Sequence, residues 1–300
     1  PLELAYRVEG DQLFITRRSK TESGIRTVTF KVDDLVGDDA KQLQQLGSWI
    51  MDFVEPESWS SRGGIGTITF RGSELIIEQY ETVQFEVLGF CEKLRVARGL
   101  TKRSPYDVSQ FQLATRADQI RAKLAQQITL TYIRPVPLQR ITDRIALAAK
   151  LHLLIDWRAL AEAGWSPDAE VRFAVADQPL AKALSTLLEP MDLAFRVIDE
   201  STIQITTPTI VDSRQEIEFY RVPKQDDDGE KLVQAAREAL GPANFRDAGG
   251  VGQLAFDQPS NCLLVSLSQP RQTELQTWLA AQAAAAVSSS QPATPTATVG

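Results

Sequence analysis

The chain repeats itself, and that repetition restricts its fold more than any other feature. The opening PLELAYRVEGDQLFIT returns from position 190 as PMDLAFRVIDESTIQIT, aligning Pro1 with Pro190, Ala5 with Ala194 and Arg7 with Arg196. After one inserted residue Ile15 meets Ile205 and Phe30 meets Tyr220, and EPESWSSRGGIGTITF at 55–70 is echoed by GPANFRDAGGVGQLAF at 241–256. Apolar positions and glycines recur, which marks a duplicated supersecondary unit rather than a shared chemical motif. Residues 1–98 thus resemble 190–283. Segment 128–189 has no counterpart ahead of Pro1, so the chain is expected to be a fragment, or to lack the first half of one domain.

Apolar periodicity supplies the elements. Leu4, Tyr6 and Val8 alternate with polar neighbours, Gly10-Asp11 makes a turn, and Leu13 and Ile15 resume, predicting a hairpin over 2–16. A strand at 25–33 leads to a helix from about Asp38 to Phe53, with Leu43, Leu46, Ile50 and Phe53 on one face. Strands at 66–71 and 74–79 and a helix at 81–97 complete a β-α-β-β-α unit. The same order is expected at 216–222, 229–240, 251–256, 262–267 and 269–284. Residues 106–126, with Phe111, Leu113, Ile120 and Leu124, read as one amphipathic helix within a linker over 99–127.

A different unit spans 128–206. Strands are expected at Ile128–Tyr132, Leu151–Ile155 and Val171–Val175, with a hairpin at 192–206. One helix carries Leu138, Ile141 and Ile145. A second carries Leu180, Ala183, Leu184, Leu187 and Leu188, with Asp177 as its expected cap and Pro179 in its first turn. The stretch from Asp156 to Asp168 reads as a loop. The fold class is therefore α+β: several small modules of two helices packed on a short mixed sheet. The expected division is a hairpin at 1–16, a module at 25–98, the linker, a domain at 128–206, a second module at 214–284 and a disordered tail at 285–300.

Composition restricts function. A net charge of -7 over 300 residues opposes a nucleic-acid partner, whose phosphates call for a cationic footprint. Arg17, Arg18 and Lys20 form a small basic group suited to guarding an exposed strand. A KH-like reading of the β-α-β-β-α unit lacks a basic GxxG loop between helices. No apolar run reaches the ~18–20 residues that span a bilayer. Cys91 and Cys262 read as buried thiols, with a bridge between domains as the alternative.

The segment ITLTYIRPVPLQRITDRIALAAKLHLLID followed by VRFAVADQPLAKALSTLLEPMDLAFRVIDESTIQIT, at 128–206, resembles the secretin and TonB short amino-terminal (STN) domain. The shared features are a strand, a Pro-Leu helix start, a short strand, and an alternating strand leading to a PLxxAL…LL helix and a final hairpin. The β-α-β-β-α units resemble the ring-building domains of secretins, although the loop with Trp59 and its glycines departs from that pattern. The alternation of units also resembles large bacterial exported proteins that string such modules together. The resemblance implies a periplasmic or otherwise exported docking module that binds a protein: an inner-membrane partner in secretins, a regulator in TonB-dependent receptors. No secretin or receptor barrel is present in the chain.

The chemical constellations are sparse. Gly63, Gly64 and Gly66, and likewise Gly249, Gly250 and Gly252, lie after a helix and before a strand, the reverse of a phosphate loop, with no Lys-Ser/Thr following. They are expected to serve a reversal of the chain, with Trp59 and Phe245 anchoring the loops. His152 is the only histidine and sits in an apolar strand, and no metal-ligand spacing is visible. Asp226-Asp227-Asp228-Gly229-Glu230 lacks the alternation of a calcium loop, and like Asp38-Asp39 it reads as helix-capping. Trp157 and Trp165 are candidates for partner binding or for packing of their own loop. The leading expectation is a non-enzymatic protein–protein interaction module of the bacterial envelope, without cofactor or metal, binding a protein partner or itself through sheet edges. The alternatives are a TonB-type signalling receptor fragment and a carboxylate-dependent hydrolase.

Overall fold

Short alternating segments become short strands. A computed structural model of the chain describes residues 4–9, 12–17, 24–224 and 229–289. β1 (Leu4–Glu9) pairs antiparallel with β2 (Gln12–Arg17), placing Leu4 opposite Arg17. The expected turn at Gly10-Asp11, the basic residues Arg18 and Lys20, and Asp226, Asp227 and Asp228 lie outside the described residues.

The first β-α-β-β-α module comprises β3 (Ile25–Lys31), α1 (Asp33–Val36), α2 (Ala40–Phe53), β4 (Thr67–Arg71), β5 (Glu74–Tyr80) and α3 (Glu81–Ala97). Asp39 begins α2 by accepting the Lys41 N–H at 2.8 Å, which satisfies one of the amides a helix start leaves open. The antiparallel sheet runs β3-β5-β4. Leu75 and Ile77 of β5 are buried, and Phe53 meets Phe90 at a centroid distance of 5.9 Å. The other face carries exposed Thr27, Glu78 and Thr67 in one row and exposed Thr29 and Thr69 flanking half-buried Ile76 in the next. Period-two alternation thus puts a core on one side and water on the other.

Residues 106–126 are not one helix. A 3-10 turn at Val108–Phe111 is capped by Asp107, and α4 (Arg116–Leu124) begins afresh. The Thr115 hydroxyl accepts the Asp118 N–H at 3.1 Å, and the Asp118 carboxylate accepts the Thr115 N–H at 3.2 Å. This reciprocal capping box interrupts the helical run that apolar spacing alone suggests.

β6 (Gln127–Pro137), α5 (Leu138–Ala149), β7 (His152–Ile155), α6 (Trp157–Glu162), β8 (Glu170–Pro179), α7 (Leu180–Leu188), β9 (Ala194–Val197) and β10 (Thr202–Thr206) follow. β6 and β8 form a two-stranded sheet, and β7-β10-β9 a mixed one in which β7 runs parallel to β10. Ile141, Ile145, Leu180 and Leu184 of α5 and α7 share a core cluster with Ile203 and Ile205 of β10.

Two expectations are corrected here. Asp177 does not cap a helix: β8 continues to Pro179, and Asp177 has φ +49. Ile128 and Leu130 stand opposite Gln178 and Val175, so β8 carries one extra residue, a β-bulge at which an aspartate tolerates the left-handed region. The Asp177 N–H donates to Thr129 Oγ1 at 3.0 Å. The stretch read as a loop from Asp156 to Asp168 contains α6, whose first turn is closed by Asp156 accepting the Ala159 N–H at 3.1 Å.

The second module follows α8 (Pro208–Ser213) and comprises β11 (Glu216–Arg221), α9 (Glu230–Leu240), β12 (Gln253–Asp257), β13 (Cys262–Leu267) and α10 (Gln269–Ser289). Its sheet order, β11-β13-β12, matches β3-β5-β4. α10 continues through 285–289, where a disordered tail is expected. The alanine run at 283–286 leads into it, alanine being the strongest intrinsic helix former, and residues 290–300 lie outside the described ones.

Two compact units divide the chain. The first runs to Leu113 and includes Phe219–Glu230 and Gln253–Val265; the second comprises Ala114–Glu218, Lys231–Gly252 and the chain from Ser266. Within the first, Phe90 of α3 meets Phe219 edge-on at 5.6 Å, and Arg221 donates to the Ala97 carbonyl at 3.3 Å.

Candidate functional site

Both glycine frames have the same local geometry. Trp59 bridges to Gly66, and Phe245 to Gly252, each as an isolated parallel pair. Both aromatic side chains are 0% exposed, and the Trp59 indole N–H donates to the Val54 carbonyl at 2.7 Å. Gly63 and Gly249 have φ of +89 and +91, a region that favours glycine. A Cβ at Gly64 would overlap the Ser58 carbonyl, and one at Gly250 would overlap that of Asn244. A Cβ at Gly252 would stand 2.8 Å from the Asn244 oxygen. At Gly66 the obstacle is the buried Gln79, whose Nε2 donates to Ser58 Oγ at 2.9 Å. The Gly64 and Gly66 amides donate to the Trp59 and Ser58 carbonyls at 3.0 and 2.8 Å. Those N–H groups close the loop on itself.

His152 is exposed on β7, which ends its sheet. The His152 and Asp156 amides donate to Ser201 and Ile205 of the β10 side at 2.8 and 3.0 Å. Alternation along the strand therefore turns the N–H groups of Leu153 and Ile155 away from β10. Leu154 is 52% exposed on this edge. Trp157 and Trp165 are half-buried and pack against the core cluster, and the Trp165 indole donates to the Met191 carbonyl at 2.9 Å. The buried part of each tryptophan is packing, and the indole hydrogen bond belongs to Trp165.

Glu92, Arg95 and Glu216 are buried charges with internal partners, and exposed Asp33 extends the first group. Glu92 accepts from Arg95 at 3.2 Å and from the Arg103 and Ser104 amides at 3.1 and 2.9 Å. Arg95 also donates to Asp34 at 2.7 Å, and Arg103 to Asp33 at 2.6 Å. The hydrogen bond from Arg103 lowers the Asp33 pKa to about 2. In the second unit Glu216 is met by Arg116, Arg196 and Gln269 at 2.8, 3.0 and 2.9 Å. Such carboxylates tie segments together, because an unpaired buried charge is costly. Cys91 and Cys262 are free and buried; burial pushes the Cys91 thiol up to about 12 and raises that of Cys262 as well.

Gln84, Arg98, Asp257 and Gln272, which bond across the fold, carry no sequence signal. Each depends on a partner distant in the chain. Among the described residues no group of three or more His, Cys, Asp or Glu is placed to hold a metal ion, and no helix is long and apolar enough to cross a membrane.

No protein-family profile matches the chain, and no curated protein matches it. Solved structures do. The chain is similar over 52% of its length to the structure of XcpQN012, at 15% identity and a TM-score of 0.21. It is similar over 51% to the GspC–GspD complex of the type II secretion system of enterotoxigenic Escherichia coli, at 12% identity, a TM-score of 0.21 and 96% coverage of that chain. A third is the type IV competence pilus secretin PilQ of V. cholerae, matched over 51% of this chain at 13% identity and a TM-score of 0.21. The chain spans 66% of the first of these structures and 37% of the last.

Proposed function

We propose that the chain is a non-enzymatic protein–protein docking module of the bacterial envelope, built from an STN-like domain at 128–206 and two duplicated ring-building-like modules at 25–98 and 214–284. The observation that carries this reading is the open edge of β7. A strand whose outward amides face no neighbour in its sheet is a template for a partner strand. The half-exposed Leu154 on it offers an apolar contact. The apolar pattern at 128–206 supports the family part of the proposal, and the matching strand orders and glycine frames support duplication. A periplasmic or exported location belongs to the same proposal.

The test compares the full chain with Leu154→Lys, a charge of the kind that natural edge strands use against pairing. The purified chain is first sized, to detect pairing with itself. Both proteins are then used to recover partners from envelope extract. The proposal expects the wild type to self-associate or to retain a protein that Leu154→Lys releases, at unchanged thermal stability. Equal recovery by both, with both monomeric, contradicts it.

A further inference from the structure

We propose that the first unit holds a binding groove for a neutral saccharide, lying between α2 and the turn that joins β12 to β13. The groove has a volume of about 360 Å³, within the ~300–1,000 Å³ of small-molecule sites. Gln42, Gln45 and Trp49 line one wall. Their i, i+3, i+7 spacing sets two carboxamides and an indole along a single stripe of α2. Gln258 and Pro259 form the facing wall, and Leu46 and Leu94 belong to the apolar lining.

The turn is built for this position. In the first module only Gly72 and Ser73 separate β4 from β5, whereas Gln258, Pro259, Ser260 and Asn261 separate β12 from β13. The longer turn is pinned from within. Asp257, 0% exposed, accepts the Ser260 N–H at 3.2 Å and its hydroxyl at 2.5 Å. It also accepts Nε and Nη2 of Arg98 at 3.1 and 2.6 Å. The inserted residues Gln258 and Pro259 are left exposed at the mouth.

The lining selects the ligand class. Asp257 already meets the Arg98 charge, so a charged ligand would have to compete with a buried ion pair. Three carboxamides supply donors and acceptors together, as hydroxyl groups require. A half-buried indole beside an apolar floor suits the C–H face of a pyranose. A bound peptide would instead call for a free strand edge or a row of apolar pockets. This inference rests on the first unit alone and stands apart from the β7 reading.

Calorimetric titration of the full chain tests it with N,N′-diacetylchitobiose and maltose as neutral probes and galacturonic acid as a charged one. Saturable binding of a neutral disaccharide is expected, lost in Trp49→Ala. Gln45→Ala and Gln258→Ala should each weaken it roughly fivefold, the loss of one neutral hydrogen bond. Both glutamines are exposed, so these variants decide the matter if Trp49→Ala fails to fold. No saturable heat with either neutral sugar, binding that the glutamine variants leave unchanged, or tighter binding of the charged sugar would overturn the proposal.

Discussion

Gln84 and Gln272 make the same bond in the two modules. Gln84 Nε2 donates to the Arg26 carbonyl at 3.0 Å, near the start of β3, and to that of Ile77 at 2.9 Å. Gln272 Nε2 donates to the Glu216 carbonyl at 2.7 Å, at the start of β11, and to that of Leu267 at 3.2 Å. In each case a buried amide in the first turn of the closing helix ties it to the opening strand of its module.

Gln84→Ala and Gln272→Ala are each expected to cost about 1–3 kcal/mol, because buried carbonyls lose their donor. Urea denaturation followed separately for each variant checks this. A midpoint unchanged from wild type in both would show that the shared bond is incidental.

The glycine frames make a sharper contrast. Gly64→Ala and Gly250→Ala force a methyl into backbone atoms and should destabilise by about 3 kcal/mol or more. Gly63→Ala meets open space, so its cost is restricted to the left-handed backbone, about 1 kcal/mol. Gly89→Ala, in α3 with nothing within 4 Å, should stabilise by about 0.5–1 kcal/mol. Thermal melts of the four variants give the order directly.

The strands and long helices were legible because alternation and helical spacing run long enough to register, as along Leu43, Leu46, Ile50 and Phe53. α1, α6 and α8 were not, since four to six residues carry too little of a 3.6-residue period. The bulge at Asp177 looked like a cap because aspartate serves both situations. Trp59, Phe245 and the glycines stood out in the sequence because they recur. The groove and the Arg98–Asp257 pair were not, because the residues that form them lie far apart in the chain. β13, buried along its whole length, showed its strand character but not what covers its second face.

The thiols should be inert. Cys91 and Cys262 are buried, and thiolate is the reactive form. Maleimide labelling of the native chain is expected to be slow at both, becoming rapid at both only in denaturant. Fast labelling of either under native conditions would contradict the packing of the first unit.

Asp33 is one source of pH dependence. Its pKa lies at about 2 in the fold, against 3.8 unperturbed. The unfolded state therefore binds the proton more readily, and the stabilisation is present above pH 3.8 and fades as the pH falls towards 2. The wild type should exceed Asp33→Asn in stability by a constant margin from neutral pH down to about pH 5, and the margin should close below pH 3. A margin unchanged down to pH 2 would show that Arg103 does not hold this carboxylate.

The docking reading is tested most directly by a photo-crosslinking residue at position 154 in the full chain, mixed with envelope extract, with the same residue at the exposed Lys182 as control. Discrete covalent adducts, to another protein or to a second copy, are expected from position 154 and not from 182. Adducts from neither position, or an identical set from both, would contradict the account.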